Sequence, residues 1–318
     1  MKQMLTTTPS LRTRLELGLR SGVRKGATSL LWVLKIIVPV SFAVMLLQWS
    51  GWLHQLDFLL HPLMQLINLP AEAALPILLA ITVSFYAALA SIAVIPFSQG
   101  QVILIAIFIT IAHMLIMEGI VQLKSGIGIV KITAFRLLAA IAVVLVASQF
   151  LDGTAANVAL PASAAAHSPL AALAKGWAWD TLRLAGKIAI IVLLVMLTLE
   201  SLKALGWMAH LERFFRPVMR LLGLSDRTTT MWIAGAMFGL VYGAAVIREE
   251  AQRGHLSREE LERLHISLGI NHSMIEDPAL LLAFGVSVYW SVVPRLIIAA
   301  LATHLYRLSR PLRTALTG

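Results

Sequence analysis

A short polar segment in the second half of the chain holds the side chains most capable of chemistry. It contains Asn271, His272, Ser273, Glu276 and Asp277, and mostly apolar stretches follow it and precede it. This arrangement predicts that the segment lies at membrane depth, where ionisable groups are expensive and by default indicate a path for a solute or a proton. If the segment is partly helical, His272 and Glu276 share one face because they are four residues apart.

A purely structural role competes with this interpretation. His272 and Glu276 could satisfy each other and the exposed helix ends, and Arg295, which follows the helix-bending Pro294, could pair with Asp277 or contact a substrate. A membrane enzyme that used His272 and Glu276 as acid and base would lack a nucleophile with an oriented base. The chain also has no Walker A, GxGxxG or HExxH pattern. We therefore predict no enzymatic activity, no catalytic residue, no metal site and no cofactor.

The first half of the chain carries a second copy of this pattern. Residues 52–70 align without gaps on residues 207–225, with Trp, Pro and Met in register. Further on, a histidine, an acid, a glycine and an arginine recur at identical spacing: His113, Glu118, Gly126 and Arg136 match His272, Asp277, Gly285 and Arg295. A biased apolar composition does not readily place four such residues at three matching intervals. We interpret the two halves as a duplication, and His113, Glu118 and Arg136 as further candidate site residues.

The composition excludes a water-soluble globule. The 318 residues are 58% hydrophobic and 13% charged, whereas a soluble domain carries about 25% charged residues. The formal net charge is +10, but the basic residues lie between apolar stretches and form no nucleic-acid-binding face. Their expected partner is anionic lipid. With no cysteine, the chain forms no disulfide or thiolate metal site.

Apolar length indicates several membrane-spanning segments, at residues 30–49, 74–97, 101–123, 127–150, 178–201, 229–247, 264–285 and 286–306. Lipid permits only helices or closed barrels, and the alternation of a barrel strand is missing, so we predict helices. Five regions follow: a basic cytoplasmic segment (1–25), a first repeat (26–150), a small-residue linker (151–174), a second repeat (175–306) and a basic cytoplasmic tail (307–318).

Matching loops carry unequal positive charge. Residues 51–72 contain no Lys or Arg, whereas their counterpart, 203–227, contains five. By the positive-inside rule the equivalent loops face opposite sides, which predicts inverted repeats with both termini in the cytoplasm. Residues 248–263 oppose this topology, because they place four Arg on the outer side. In that segment Ser257 and Glu260 have the spacing of a capping box that opens a short charged helix.

Inverted repeats require each half to cross the membrane an odd number of times, so one apolar stretch per half must enter and leave on the same side. We expect broken or re-entrant helices at 101–123 and 264–285. Asp277 before Pro278 is a good N-cap for a new helix, and Gly119 holds the matching place in the first half. The predicted fold is an all-α polytopic membrane protein of two inverted repeats, each with about three transmembrane helices and one broken segment.

The stretch FGLVYGAAVIREEAQRGHLSREELERLHISLGINHSMIEDPALLLAFG, followed by VVPRLIIAAL, resembles the nucleoside-recognition or Gate domain of the spore-maturation A and B type proteins. The resemblance covers residues 238–301 and, through the repeat, extends more weakly to 80–142. It implies a polytopic protein of the bacterial inner membrane with inverted Gate repeats. It also implies family positions at Tyr242 and Gly243, at Glu249 and Glu250, and from His272 through Asp277.

We therefore expect a secondary transporter for a small polar solute, which the resemblance suggests is a nucleoside, bound between the broken helices. The alternative is a non-transporting membrane partner protein that organises an envelope or developmental complex. Its expected partners are a second copy of the chain or another membrane protein. A divalent metal permease is the third reading, since His and carboxylates are plausible ligands.

Overall fold

A computed structural model describes residues 10–52, 57–124, 128–151, 169–239 and 256–309, together with residues 247 and 250. Tyr242, Gly243 and Glu249 lie outside the described residues. The first half contains seven helices in the described ranges: α1 (Leu11–Trp49), α2 (Asp57–Gln65), α3 (Ala74–Thr82), α4 (Phe85–Ile92), α5 (Gln99–Ala112), α6 (Leu115–Lys124) and α7 (Ile129–Ala147).

The second half repeats this order of elements in its described part. Its helices are α8 (Leu170–Leu205), α9 (Met208–Leu221), α10 (Thr229–Phe238), α11 (Arg258–Asn271), α12 (Glu276–Leu281) and α13 (Val288–Leu308). A short 3-10 turn precedes α3, at Ala71–Ala73, and another precedes α10, at Asp226–Thr228. The described chain is helical throughout, so the predicted all-α class is confirmed.

Five described helical segments are long and apolar enough to cross a membrane: Leu11–Trp49, Gln99–Ile120, Ile129–Phe150, Leu170–Leu205 and Val288–Leu308. In Gln99–Ile120, 72% of the residues in the most apolar stretch are buried, whereas the corresponding share is 22–28% in the other four segments. The segment that contains α5 is therefore the centre of the bundle, and the other four expose much of their apolar surface, as helices that face lipid do.

Serine caps set the start of the two central helices. The Ser98 hydroxyl accepts from the Gln101 backbone at the start of α5, and the Gln101 side chain accepts from the Ser98 backbone. Ser257 and Glu260 form the same reciprocal pair at the start of α11. The predicted capping box is confirmed, but it opens a 14-residue helix whose later turns are buried, and not a separate charged connector.

The two longest helices, α1 and α8, pack against each other through glycines. Gly18, Gly22 and Gly26 follow each other at four-residue spacing on one face of α1. A Cβ atom at Gly22 would lie 2.8 Å from the Cα atom of Leu197 on α8. Close backbone approach of this kind is typical of small residues between membrane helices. Next to this contact, the Glu200 carboxylate accepts from the side chains of Ser21, Lys25 and Lys203.

Candidate functional site

The chain breaks its helical path at the same point in both halves. Helix α5 ends at Ala112, and Met114 adopts a φ of 50° before α6 begins. Helix α11 ends at Asn271, and Ser273 adopts a φ of 53° ahead of α12. Positive φ is uncommon for residues other than glycine. The breaks at 101–123 and 264–285 therefore occur within the two stretches where the sequence predicts them.

The positions of the breaks differ from the predicted ones. Asp277 is not the N-cap of the second helix, because α12 begins at Glu276 and Ile275 occupies the cap position. Gly119 lies inside α6, five residues beyond the break at Met114. An additional break, at Val83 and Ser84, divides the stretch 74–97 into α3 and α4. There the Ser84 hydroxyl caps α4 by accepting from the backbone of Ala87.

Neighbouring helices supply hydrogen-bond partners for the backbone groups that the breaks leave unpaired. The Met114 backbone N–H donates to the Ala80 carbonyl on α3 over 2.8 Å. In the second half, the Met274 N–H donates to the Ala236 carbonyl on α10 over 2.6 Å. Non-helical backbone survives at membrane depth only where protein or a wet cavity satisfies it. These contacts therefore let both breaks persist in the interior of the bundle.

Two fully buried arginines hold the ends of α5 and α11. Arg136 on α7 donates from Nε to the Ile111 carbonyl (2.9 Å) and from Nη2 to the His113 carbonyl (3.0 Å). Arg295 on α13 donates from Nε to the Ile270 carbonyl (2.7 Å) and from Nη2 to the His272 carbonyl. Each guanidinium thus satisfies carbonyls that a helix C-terminus leaves without a partner. In each arginine two of the five N–H donors are directed to backbone.

A carboxylate accompanies each arginine. The Glu118 Oε2 atom accepts from Arg136 Nη1, and both side chains are almost completely buried. In the second half, Asp277 Oδ2 lies 3.6 Å from Arg295 Nη1, which is beyond hydrogen-bond length. The predicted pairing of Arg295 with Asp277 is therefore present as a longer ion pair. The matching pair in the first half is the shorter one.

The two histidines meet at the centre of this arrangement. His113 Nδ1 lies 2.7 Å from the Ile109 carbonyl, and His272 Nδ1 lies 3.2 Å from the Leu268 carbonyl. A carbonyl oxygen only accepts, so each Nδ1 carries the hydrogen and each neutral Nε2 carries a lone pair. The two Nε2 atoms face each other at 2.8 Å. Each backbone carbonyl thereby fixes the tautomer of its histidine.

The carboxylates cross over to the histidine of the other half. Glu118 Oε1 lies 3.1 Å from His272 Nε2, and Asp277 Oδ2 lies 3.9 Å from His113 Nε2. Ligand atoms of His113, His272 and Asp277 all fall within 4.8 Å of one another, so these residues could hold a metal ion. We call the set His113, Glu118, His272 and Asp277 the central cluster.

Several buried polar atoms in and beside the central cluster have no hydrogen-bond partner among the described residues: Glu118 Oε1, Asp277 Oδ2, Arg295 Nη1, and both side-chain atoms of Asn271. A native protein satisfies nearly all of its buried polar groups, so each exception needs a reason such as a ligand, an ion or a functional role. Five of the ten such atoms among the described residues lie where the two breaks meet.

Other predicted site residues lie apart from the central cluster. Glu276 accepts from the Tyr86 hydroxyl on α4 over 2.5 Å. Because the break places His272 at the end of α11 and Glu276 at the start of α12, the expected shared helix face does not form. Ser273 is partly buried at the break itself. The sequence does not predict the contact between Tyr86 and Glu276, because no local pattern links residues that are 190 positions apart.

Two cavities open along the pair α1 and α8. The first, the Lys25 vestibule, has a volume of about 420 Å³ and is lined by charged groups that include Lys25, Glu200 and Glu276. The second, the Gln48 vestibule, has a volume of about 590 Å³ and is lined by Met45, Gln48 and Trp177, among other residues. Lys25 and Met45 are twenty positions apart on one helix, which corresponds to about 30 Å. That length matches the hydrocarbon core of a bilayer.

The chain is similar to the uncharacterized membrane protein YvoD of Bacillus subtilis (strain 168). The two sequences are 32% identical over 281 residues, which cover 86% of this chain and 88% of that protein. No family model matches the chain, and no solved structure matches it significantly.

Proposed function

The chain belongs to the family of the Bacillus subtilis membrane protein YvoD, and we propose that it is a secondary transporter for a small polar solute. The observation that carries the proposal is the central cluster. It joins two broken helices in the interior of a membrane protein and leaves buried polar atoms without partners. Discontinuous helices that meet near the midplane are the usual site of solute and ion binding in secondary transporters.

Matched contacts in the two halves support an arrangement of inverted repeats. The arginine contacts span the same sequence separations in both halves, 25 and 23 residues. The cluster contacts are reciprocal, since each carboxylate approaches the histidine of the other half. Reciprocal contacts are what a two-fold axis between equivalent units produces. The unequal Lys and Arg content of matching loops favours an axis in the membrane plane.

The two vestibules support transport over a purely structural role. They lie at opposite ends of the same helix pair, and Glu276, which lines the Lys25 vestibule, is adjacent to Asp277 of the central cluster. In the proposed mechanism the two vestibules are the ends of the transport path and the central cluster closes it between them. Rocking of one repeat against the other would open the cluster to one vestibule at a time.

A small polar solute suits the volumes, because cavities of about 300 to 1,000 Å³ accept small molecules. The resemblance to the Gate domain favours a nucleoside among such solutes. Transport is tested with the full chain reconstituted into proteoliposomes and a panel of radiolabelled nucleosides, other small metabolites and divalent metals. We expect uptake of one class of solute, and we expect Glu276→Gln to reduce its rate at least tenfold.

The matched control is Glu16→Gln, which changes an exposed glutamate of α1 far from the cluster and should leave uptake intact. If no solute enters the vesicles and affinity purification instead recovers a stoichiometric membrane protein, the chain is a partner protein and the proposal fails.

A further inference from the structure

The central cluster gathers four atoms that offer lone pairs. These are the Nε2 atoms of His113 and His272, Glu118 Oε1 and Asp277 Oδ2, and each half of the chain supplies one nitrogen and one oxygen. We propose that the four side chains form a binding site for one divalent transition-metal ion. The proposal deepens the proposed function, and rests on it for the transport step, because it names a metal ion as the solute.

The cluster contains no hydrogen that its four lone-pair atoms could share. Both Nδ1 atoms donate to backbone carbonyls, so neither neutral histidine has a hydrogen on Nε2. When both carboxyl groups are ionised, as metal coordination requires, Glu118 and Asp277 only accept. Their free oxygens have no hydrogen-bond donor among the described residues. Four lone pairs that converge without a donor repel one another unless a positive centre lies between them.

A metal ion satisfies this arrangement better than a proton does. One proton shared between the two Nε2 atoms bridges two lone pairs and leaves Glu118 Oε1 and Asp277 Oδ2 unpaired. A cation pairs with both Nε2 atoms and with Asp277 Oδ2, whose ligand atoms lie within 4.8 Å of one another, and Glu118 Oε1 lies 3.1 Å from one of these nitrogens. Imidazole nitrogen together with carboxylate oxygen is a ligand set that suits divalent transition metals such as Zn²⁺.

The distances are close to those of a coordinated ion. Two ligands at about 2.1 Å from a tetrahedral zinc ion lie about 3.4 Å apart. The separation of the two Nε2 atoms is 2.8 Å and that of His272 Nε2 from Glu118 Oε1 is 3.1 Å. Asp277 Oδ2 lies further out, 3.9 Å from His113 Nε2, within a set of three ligand atoms that span up to 4.8 Å, so coordination requires this carboxylate to move inward.

The surroundings resemble the outer shell of a metal site. Backbone carbonyls hold both histidines through Nδ1, and Arg136 holds the second oxygen of Glu118. Such outer partners orient ligands and fix their tautomers. The positive charges of Arg136 and Arg295 oppose a cation and lower its affinity. A transport site benefits from this opposition, because a solute must bind and then leave.

Binding is tested on the purified full chain in detergent, after removal of metals with a chelator. Zn²⁺ and Mn²⁺ are titrated separately by calorimetry, and Mg²⁺ serves as the comparison ion. We expect one high-affinity Zn²⁺ per chain. His272→Asn and Asp277→Asn should each weaken it at least tenfold, since the loss of an outer-shell partner alone costs about 10- to 100-fold. The exposed His304 provides the control, and His304→Asn should leave this affinity unchanged.

Two results overturn the inference: no Zn²⁺ or Mn²⁺ binds, or binding survives both cluster variants in protein that still melts cooperatively without metal. A proton site would give the first of these results. Proteoliposomes that contain a metal-sensitive dye then test transport separately. Uptake of another solute without metal binding removes the metal inference alone, whereas metal binding without flux of any solute in the panel removes the proposed function and leaves the binding site.

Discussion

Arg136 and Arg295 hold the two halves of the chain by the same contacts. In each case Nε donates to a carbonyl 25 residues earlier and Nη2 donates to a carbonyl 23 residues earlier. Both carbonyls belong to the end of a helix whose next residues turn away from the helical path. A planar guanidinium can reach two backbone carbonyls and a carboxylate at once, which explains why an arginine occupies both positions.

The main effect of replacing either arginine should therefore be a loss of protein stability. Arg136→Ala leaves buried Glu118 and two carbonyls without their donor, and breaking a buried pair costs about 3 to 5 kcal/mol. Arg136→Lys should restore only part of this loss, because an ammonium lacks the fork geometry. Arg295→Ala should cost less, since Arg295 Nη1 is 3.6 Å from Asp277. Thermal unfolding in detergent measures the order, and exposed Arg12→Lys is the control.

Orientation of the halves is tested with single cysteines, which the chain permits because it contains no native cysteine. His61 on α2 and Arg216 on α9 occupy matched positions in the two halves. An impermeant thiol reagent applied to intact cells should label His61→Cys and leave Arg216→Cys protected. Labelling of both variants to the same extent would contradict inverted repeats.

The contact of α1 with α8 should be sensitive to one added methyl group. At Gly22 a Cβ atom would lie 2.8 Å from the Leu197 backbone, so Gly22→Ala forces the two helices apart. Overpacking of this kind costs about 1 to 3 kcal/mol. The matched control is Gly186→Ala on α8, where a Cβ atom meets nothing within 4 Å. There alanine should be neutral, or stabilise the helix by up to about 1 kcal/mol. Equal melting of both variants would refute the close contact.

Tyr86 and Glu276 should be energetically coupled across the two halves. The phenol donates to the carboxylate over 2.5 Å, and both groups are largely withdrawn from solvent. A double-mutant cycle of Tyr86→Phe and Glu276→Gln should give a coupling energy of about 1 to 3 kcal/mol, as expected for a hydrogen bond to a charged group. Chemical unfolding in detergent supplies the four stabilities. The exposed Tyr289, changed to Phe, should show no coupling to Glu276→Gln.

Sequence alone indicated the long apolar helices and the two stretches that contain the breaks, because apolar length and serine caps are local signals. It treated 51–72 and 203–227 as loops, although α2 and α9 lie there. The exact positions of the breaks could not be predicted from the sequence. Met114 and Ser273 adopt positive φ although neither residue type requires it, and partners on α3 and α10 stabilise that conformation. Ser84, in contrast, offers a recognisable N-cap signal that could have located the break between α3 and α4.

The repeat also identified His113, Glu118 and Arg136 as counterparts of His272, Asp277 and Arg295. It did not reveal that each carboxylate approaches the opposite histidine, because that crossing depends on how the halves dock. For the same reason no local pattern indicates that Glu200 is buried and accepts from Lys25, 175 positions away.

The division of the central cluster between the halves has a mechanical consequence. One histidine and one carboxylate come from each half, so parting the halves would reduce four ligands to two. An ion bound there would hold the two halves together, and it would dissociate only when the halves part. The ion could not leave while the halves were in contact. Other molecules could not pass between the halves while the ion was bound, because the halves would then be closed.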